Sequence, residues 1–162
     1  MKRLSVLIAS CLIAALVLAQ PAKSANDWLI GSWKLVKATQ STGGQTKEYF
    51  GRNPIGQMIF DANGQFSIVL IRSDIPKFKS DNRVRGSAEE NAAAVQGSIG
   101  YFGTYTLSGD TLKMHLVGST YPNWINTDQT RIVRQEGDRF TWQNATPSAG
   151  GEELVMVLER VK

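Results

Sequence analysis

His115 is the only histidine in the 162-residue chain, and imidazole is the side chain that most readily moves a proton near neutral pH. It stands in "TLKMHLV", where Leu112, Met114 and Leu116 alternate with Lys113 and His115. Strand parity turns the three apolar residues inward and His115 outward, whereas a twist or bulge near Gly118 would bring the imidazole inside. The inward placement would make His115 a ligand-binding or acid/base group. Two arginines raise a similar question. Arg131, in "QTRIV", alternates with Ile132 and shares its parity with Gln129, and Arg72 closes the apolar run that begins at Phe66. An inward arginine would grip a carboxylate or a polar ligand head. Buried without a partner it would be costly, so Glu159, Asp128 or a ligand is expected beside it. Arg134 is expected on the outer face or at a barrel end.

Aromatic residues supply the apolar part of such a site. Tyr101, Phe102 and Tyr105 lie in "YFGTY", and Tyr121 and Trp124 lie in "TYPNW". Pro122 and Asn123 mark the second group as a rim loop, which favours a ligand role for Trp124 and a core role for Phe102. Met58, Phe60, Ile68 and Leu70 would give the apolar wall, with Tyr101 and Tyr105 beside it and Tyr105 fixing a polar end. No nucleophile elbow, zinc-protease motif or cysteine-based metal site is present, so no catalytic residue, metal or cofactor is assigned. "DANG", residues 61–64, resembles the start of a calcium loop but lacks the later carboxylates, and a hairpin turn explains it. Asn144-Ala145-Thr146 matches a glycosylation sequon, which in a chain with a bacterial-type leader is read as chance.

The elements that must position these side chains are mostly strands. Apolar runs rich in β-formers, separated by turns at Asn63-Gly64, Gly109 and Gly137, predict about nine antiparallel strands in a meander. Such a meander closes into a barrel because closure removes exposed edges. A barrel of about eight strands either fills itself with side chains or holds one small ligand. "GSAEENAAAVQGS" is the exception and predicts a helix, with Ser87 and Glu90 as a capping box and Gly97 at its end. The polar loop before it, "SDIPKFKSDNRVRG", is read as a surface excursion or a lid.

The first 25 residues stand apart. Lys2 and Arg3 precede an apolar run from Leu4 to Ala19, followed by small residues. That is the layout of a secretory signal peptide, and the run is shorter than a membrane span needs. Cleavage after Ala25, Ser24 or Ala19 would leave a domain over about residues 26–162, secreted or periplasmic. "LIASC" resembles a lipoprotein cleavage site, but the apolar run continues past Cys11, so Cys11 is expected to leave with the leader. After cleavage at Ala25 the chain keeps 15 basic and 14 acidic residues and no cysteine. It then lacks the basic stripe of a nucleic-acid binder and cannot form disulfides.

Two resemblances bear on the fold. Gly31-Ser32-Trp33 resembles the G-x-W signature of the lipocalins, which implies a Trp33 at one barrel end and Arg160 of the last strand packed across it. "NPIGQMIFDANGQFSIVLIR", "GSIGYFGTYTL", "HLVGSTYPNWINTDQTRIV" and "GDRFTW" together are similar to the bacterial and fungal lipocalin-like domain family, over nearly all of residues 27–162. That resemblance implies an all-β, up-and-down barrel with one short helix. The function expected is binding of a small, largely apolar molecule in the barrel. A cofactor-free isomerase or cyclase using His115 or Tyr105 with Arg131 or Arg72 is the second reading. A filled barrel serving a protein partner is the third.

Overall fold

The computed structural model describes residues 27–162; the segment read as a signal peptide, the cleavage positions expected in it and Cys11 lie outside them. Nine strands and one helix follow in order: β1 (Gly31–Thr42), β2 (Gln45–Glu48), β3 (Ile55–Phe60), β4 (Gln65–Ile71), α1 (Ala88–Gly97), β5 (Ser98–Ser108), β6 (Thr111–Ser119), β7 (Thr127–Glu136), β8 (Arg139–Asn144) and β9 (Glu153–Arg160). Each strand from β3 to β9 pairs with the next, and β1 pairs with both β3 and β9. Eight strands therefore close a barrel, while β2 is a short flap paired to the far end of β1. A bulge at Val36 falls between the stretch of β1 that meets β3 and the stretch that meets β2. Bulges bend and twist a strand, which closure of a small barrel requires.

Period-two alternation fills the interior. Met58 and Phe60 of β3, Phe66, Ile68 and Leu70 of β4, and Leu112, Met114 and Leu116 of β6 are all buried. So are Phe140 and Trp142 of β8 and Leu154, Met156 and Leu158 of β9. The same alternation corrects two sequence expectations. In β5 the inward positions go to Tyr101 and Gly103, so Phe102 faces out and is 53% exposed. Its ring lies over Gly118 of β6, where an added Cβ would meet it at 2.4 Å. His115 likewise faces out between buried Met114 and Leu116, because the bulge in this pairing falls at Val117, beyond it.

One end of the barrel is a closed floor. The Trp33 indole N–H donates to the Leu29 carbonyl at 2.8 Å, and its ring meets Phe140 edge-on at a centroid distance of 4.7 Å. The Arg160 guanidinium sits 4.1 Å from the centre of the Trp33 ring and donates to the carbonyls of Ile30 and Trp28. A cation over a desolvated aromatic face, with its N–H groups on backbone acceptors, ties the last strand to the segment before the first. Gly31 has φ +128°, and a Cβ there would lie 2.8 Å from Arg160 Nη1. Glycine is needed at that point both for its backbone angle and for the space the guanidinium takes.

Just outside the floor, Glu159 binds Lys34 at 2.8 Å and Arg139 at 2.8 and 3.0 Å. The bonds from Lys34 and Arg139 hold its carboxyl down at about 2, against an ordinary 4.5. A depressed carboxyl contributes stability that is full above its unfolded-state value and is lost as pH falls through the folded one. Melting temperature is thus expected to fall between those two pH values, and Glu159→Gln is expected to flatten that part of the profile. An acid limb of unchanged slope in the variant would assign the loss to other carboxylates.

Candidate functional site

The opposite end of the barrel is open. A cavity of about 650 Å³ enters there, bounded by the ends of β4, β5, β8 and β9, by α1 and by the loops around residues 120–124 and 147–149. Helix α1 reaches the mouth, and Ser87 caps its N-terminus as expected. The Ser87 hydroxyl accepts from Glu90 N–H, and the Glu90 carboxylate accepts from Ser87 N–H. Its last turn places Ala94, Val95 and Gln96 at the rim. "TYPNW" forms a rim turn, Pro122–Trp124, as read from its proline. Trp124 packs edge-on against Tyr101 at 5.2 Å and against Tyr121 at 5.7 Å.

The wall is mainly apolar. Leu70, Tyr101, Trp142, Leu154 and Met156 line it, with Phe50 and Trp124 nearer the mouth. At its base lies Arg131, only 6% exposed. Its Nη1 donates to the Thr130 carbonyl at 2.7 Å and its Nη2 to Gln129 Oε1, while its guanidinium lies 5.9 Å from the Trp142 ring centre. Its Nε is the one buried side-chain polar atom among the described residues without a hydrogen-bond partner. Neither carboxylate expected beside it is there. Glu159 is engaged by Lys34 and Arg139, and Asp128 by His115 at 2.8 Å. Burial lowers the proton affinity of Arg131, against a lesser opposing effect of Tyr101. Burial also raises the Tyr101 hydroxyl to about 12, which keeps it a neutral phenol.

Of the residues read as ligand-binding from the sequence, the structure brings Leu70, Arg72, Tyr101, Trp124 and Arg131 to this cavity. Arg72 sits at the rim in a bidentate pair with Asp74, at 2.7 and 2.9 Å. Met58, Phe60 and Ile68 face inward but below the cavity, where they fill the core. Tyr105 is also displaced: its hydroxyl donates to the Asp61 carbonyl at 2.8 Å and its ring packs on Phe60, toward the floor. His115 stands on the outer face with Asp128. The proton-moving side chains of the isomerase reading thus lie away from the cavity, His115 through strand parity and Tyr105 through its height on β5.

Trp142, Met156, Leu154, Phe50 and Asn144 were missed as cavity residues. The signal was present for three of them, since "RFTWQN" and "ELVMVLER" alternate so that Trp142, Leu154 and Met156 share the inward face of their strands. Asn144 continues that face. It is buried, and its Oδ1 accepts from the Thr146 N–H at 3.1 Å, so the sequon asparagine is turned into the structure.

A closed eight-stranded antiparallel barrel with a floor at one end and an apolar, cation-based cavity at the other defines a β-barrel of the ligand-enclosing class. The chain belongs to the lipocalin-like domain family, whose model matches residues 30–158. It is 31% identical over 80 residues to the 4'-hydroxy-3'-methoxypropiophenone carrier protein of Aspergillus oryzae, spanning 44% of this chain and 72% of that one. Among solved structures, a lipocalin-like protein of Bacteroides uniformis is 17% identical over 83% of this chain and 99% of its own, with a TM-score of 0.46. An uncharacterized protein of Bacteroides eggerthii is 15% identical over 82% and 99%, with a TM-score of 0.43.

Proposed function

We propose that this protein is an exported carrier, secreted or periplasmic, that takes one small, largely apolar molecule into the open end of its barrel. The observation that carries the reading is the cavity itself: about 650 Å³, walled by Leu70, Tyr101, Trp142, Leu154 and Met156. That size and lining match a site built for one small molecule rather than a barrel filled by its own side chains. The curated relative from Aspergillus oryzae, a carrier of 4'-hydroxy-3'-methoxypropiophenone by name, supports a carrier role. Export rests on Lys2, Arg3 and the apolar run that follows.

The test is titration with the neutral fluorophore N-phenylnaphthylamine, read by energy transfer from Trp124 and Trp142. One probe per chain is expected, with a dissociation constant in the micromolar range. Absence of saturable binding would overturn the carrier reading and favour the filled barrel with a protein partner. Export is tested separately by the mass of the protein recovered from periplasm or medium. Loss of the leader at Ala25, Ser24 or Ala19 is expected, and full-length chain confined to the cytosol would overturn it.

A further inference from the structure

Arg131 is an expensive residue to place where it stands. Its guanidinium has five N–H donors in a fixed fork, and two of them are engaged, by Thr130 O and Gln129 Oε1. Nε is buried with no acceptor, and no Asp or Glu among the described residues forms an ion pair with it. A charge so enclosed, without a counter-charge, loses its hydration and gains little in return. The other arginine at this cavity, Arg72, is neutralised by Asp74 at the rim. The base of the cavity therefore carries a buried positive charge with no carboxylate beside it, while the other charged lining residues, Lys47 and Glu48 of β2, are exposed and opposite in sign. Above it the wall is apolar and aromatic on most sides.

We propose that the ligand is a small amphipathic monoanion with a flat apolar body, bound with its acidic group on Arg131 and its body between Tyr101, Trp124 and Trp142. This rests on the carrier reading and adds the charge and orientation of the cargo. An oxyanion is the partner a guanidinium fork is shaped for, and the hydrogen bond it forms is charge-assisted on both sides. A neutral ligand of the same outline would leave the charge uncompensated at the base of the site. Carboxylates and phenolates share this chemistry.

The test compares naphthoate with naphthamide, which have the same outline and differ by one charge, through quenching of tryptophan fluorescence in the wild-type protein. The acid is expected to bind about tenfold or more tightly than the amide. In Arg131→Met that preference is expected to vanish while amide affinity is kept. Acid binding no tighter than amide binding, or neither binding while N-phenylnaphthylamine still does, overturns the anion proposal and leaves the carrier reading standing. Failure of all three probes instead sinks the carrier reading. A folded Arg131→Met that still prefers the acid would remove Arg131 from the site. The wild-type comparison needs no variant, so the proposal stays exposed to refutation even if Arg131→Met fails to fold.

Discussion

Trp33→Ala is expected to destabilise the protein by about 3–5 kcal/mol, the usual range for truncating a fully buried large aromatic residue. Trp33 is 0% exposed and touches the rings of both Trp28 and Phe140. Its loss would open a cavity at the floor, orphan the Leu29 carbonyl and leave Arg160 over a void. Each effect has the same sign. Against a typical domain stability of about 5–15 kcal/mol, such a loss takes a large share. Trp33→Phe separates the contributions, because it keeps a ring under Arg160 but removes the indole donor. It is expected to recover most of the loss. The measurement is urea unfolding followed by circular dichroism, with the slope against denaturant held as a check on two-state behaviour. A loss below about 1 kcal/mol for Trp33→Ala would mean that the floor relaxes around the hole and that the Arg160 contact is incidental.

The pairing of Trp33 with Arg160 at the floor was expected from the resemblance of Gly31-Ser32-Trp33 to the lipocalin signature, and chain order is compatible with it. Gly31-Ser32-Trp33 opens the first strand and Arg160 ends the last, and in a closed meander those strands are neighbours. The inward face of each strand was legible from the residues themselves, since period-two alternation is local and survives any tertiary context that buries one face. Height along the barrel axis is not local. Phe60 and Leu70 carry the same inward signal, yet one packs near the floor and the other lines the cavity. Tyr101 and Tyr105 are four residues apart on one strand, both turned inward, and only Tyr101 reaches the site. Which of them meets a ligand depends on where the core stops, and that is set by side chains from every strand at once. His115 shows the limit from the other direction. Parity placed it outside, and the bulge that would have reversed it lies past it, at Val117. The isolation of Arg131 was not legible either, because the carboxylates expected beside it are claimed by Lys34, Arg139 and His115 through cross-strand register.

That isolation makes a second, opposite-signed prediction about stability. Arg131→Met is expected to stabilise the unliganded protein, by about 1–2 kcal/mol, because it removes a buried cation and an unmet donor and keeps a long apolar stem against Trp142. Two hydrogen bonds are lost with it, to Thr130 O and to Gln129 Oε1, and these set the lower end of the range. A site that lowers the stability of its own empty state is a common signature of a residue kept for binding. Ligand should then act against that difference. Saturation at about 100 times the wild-type dissociation constant adds about 2.7 kcal/mol to the wild type, and about 1.4 kcal/mol to a variant that binds the acid tenfold more weakly. Without naphthoate the variant is expected to melt above the wild type; with it, that lead is expected to shrink by about 1.3 kcal/mol or more. Thermal unfolding of both proteins with and without the acid measures all four points of the cycle. If Arg131→Met is instead destabilising without ligand and naphthoate stabilises both proteins equally, the guanidinium is a structural tie between Thr130 and Gln129, and the base of the cavity has to be explained by packing alone.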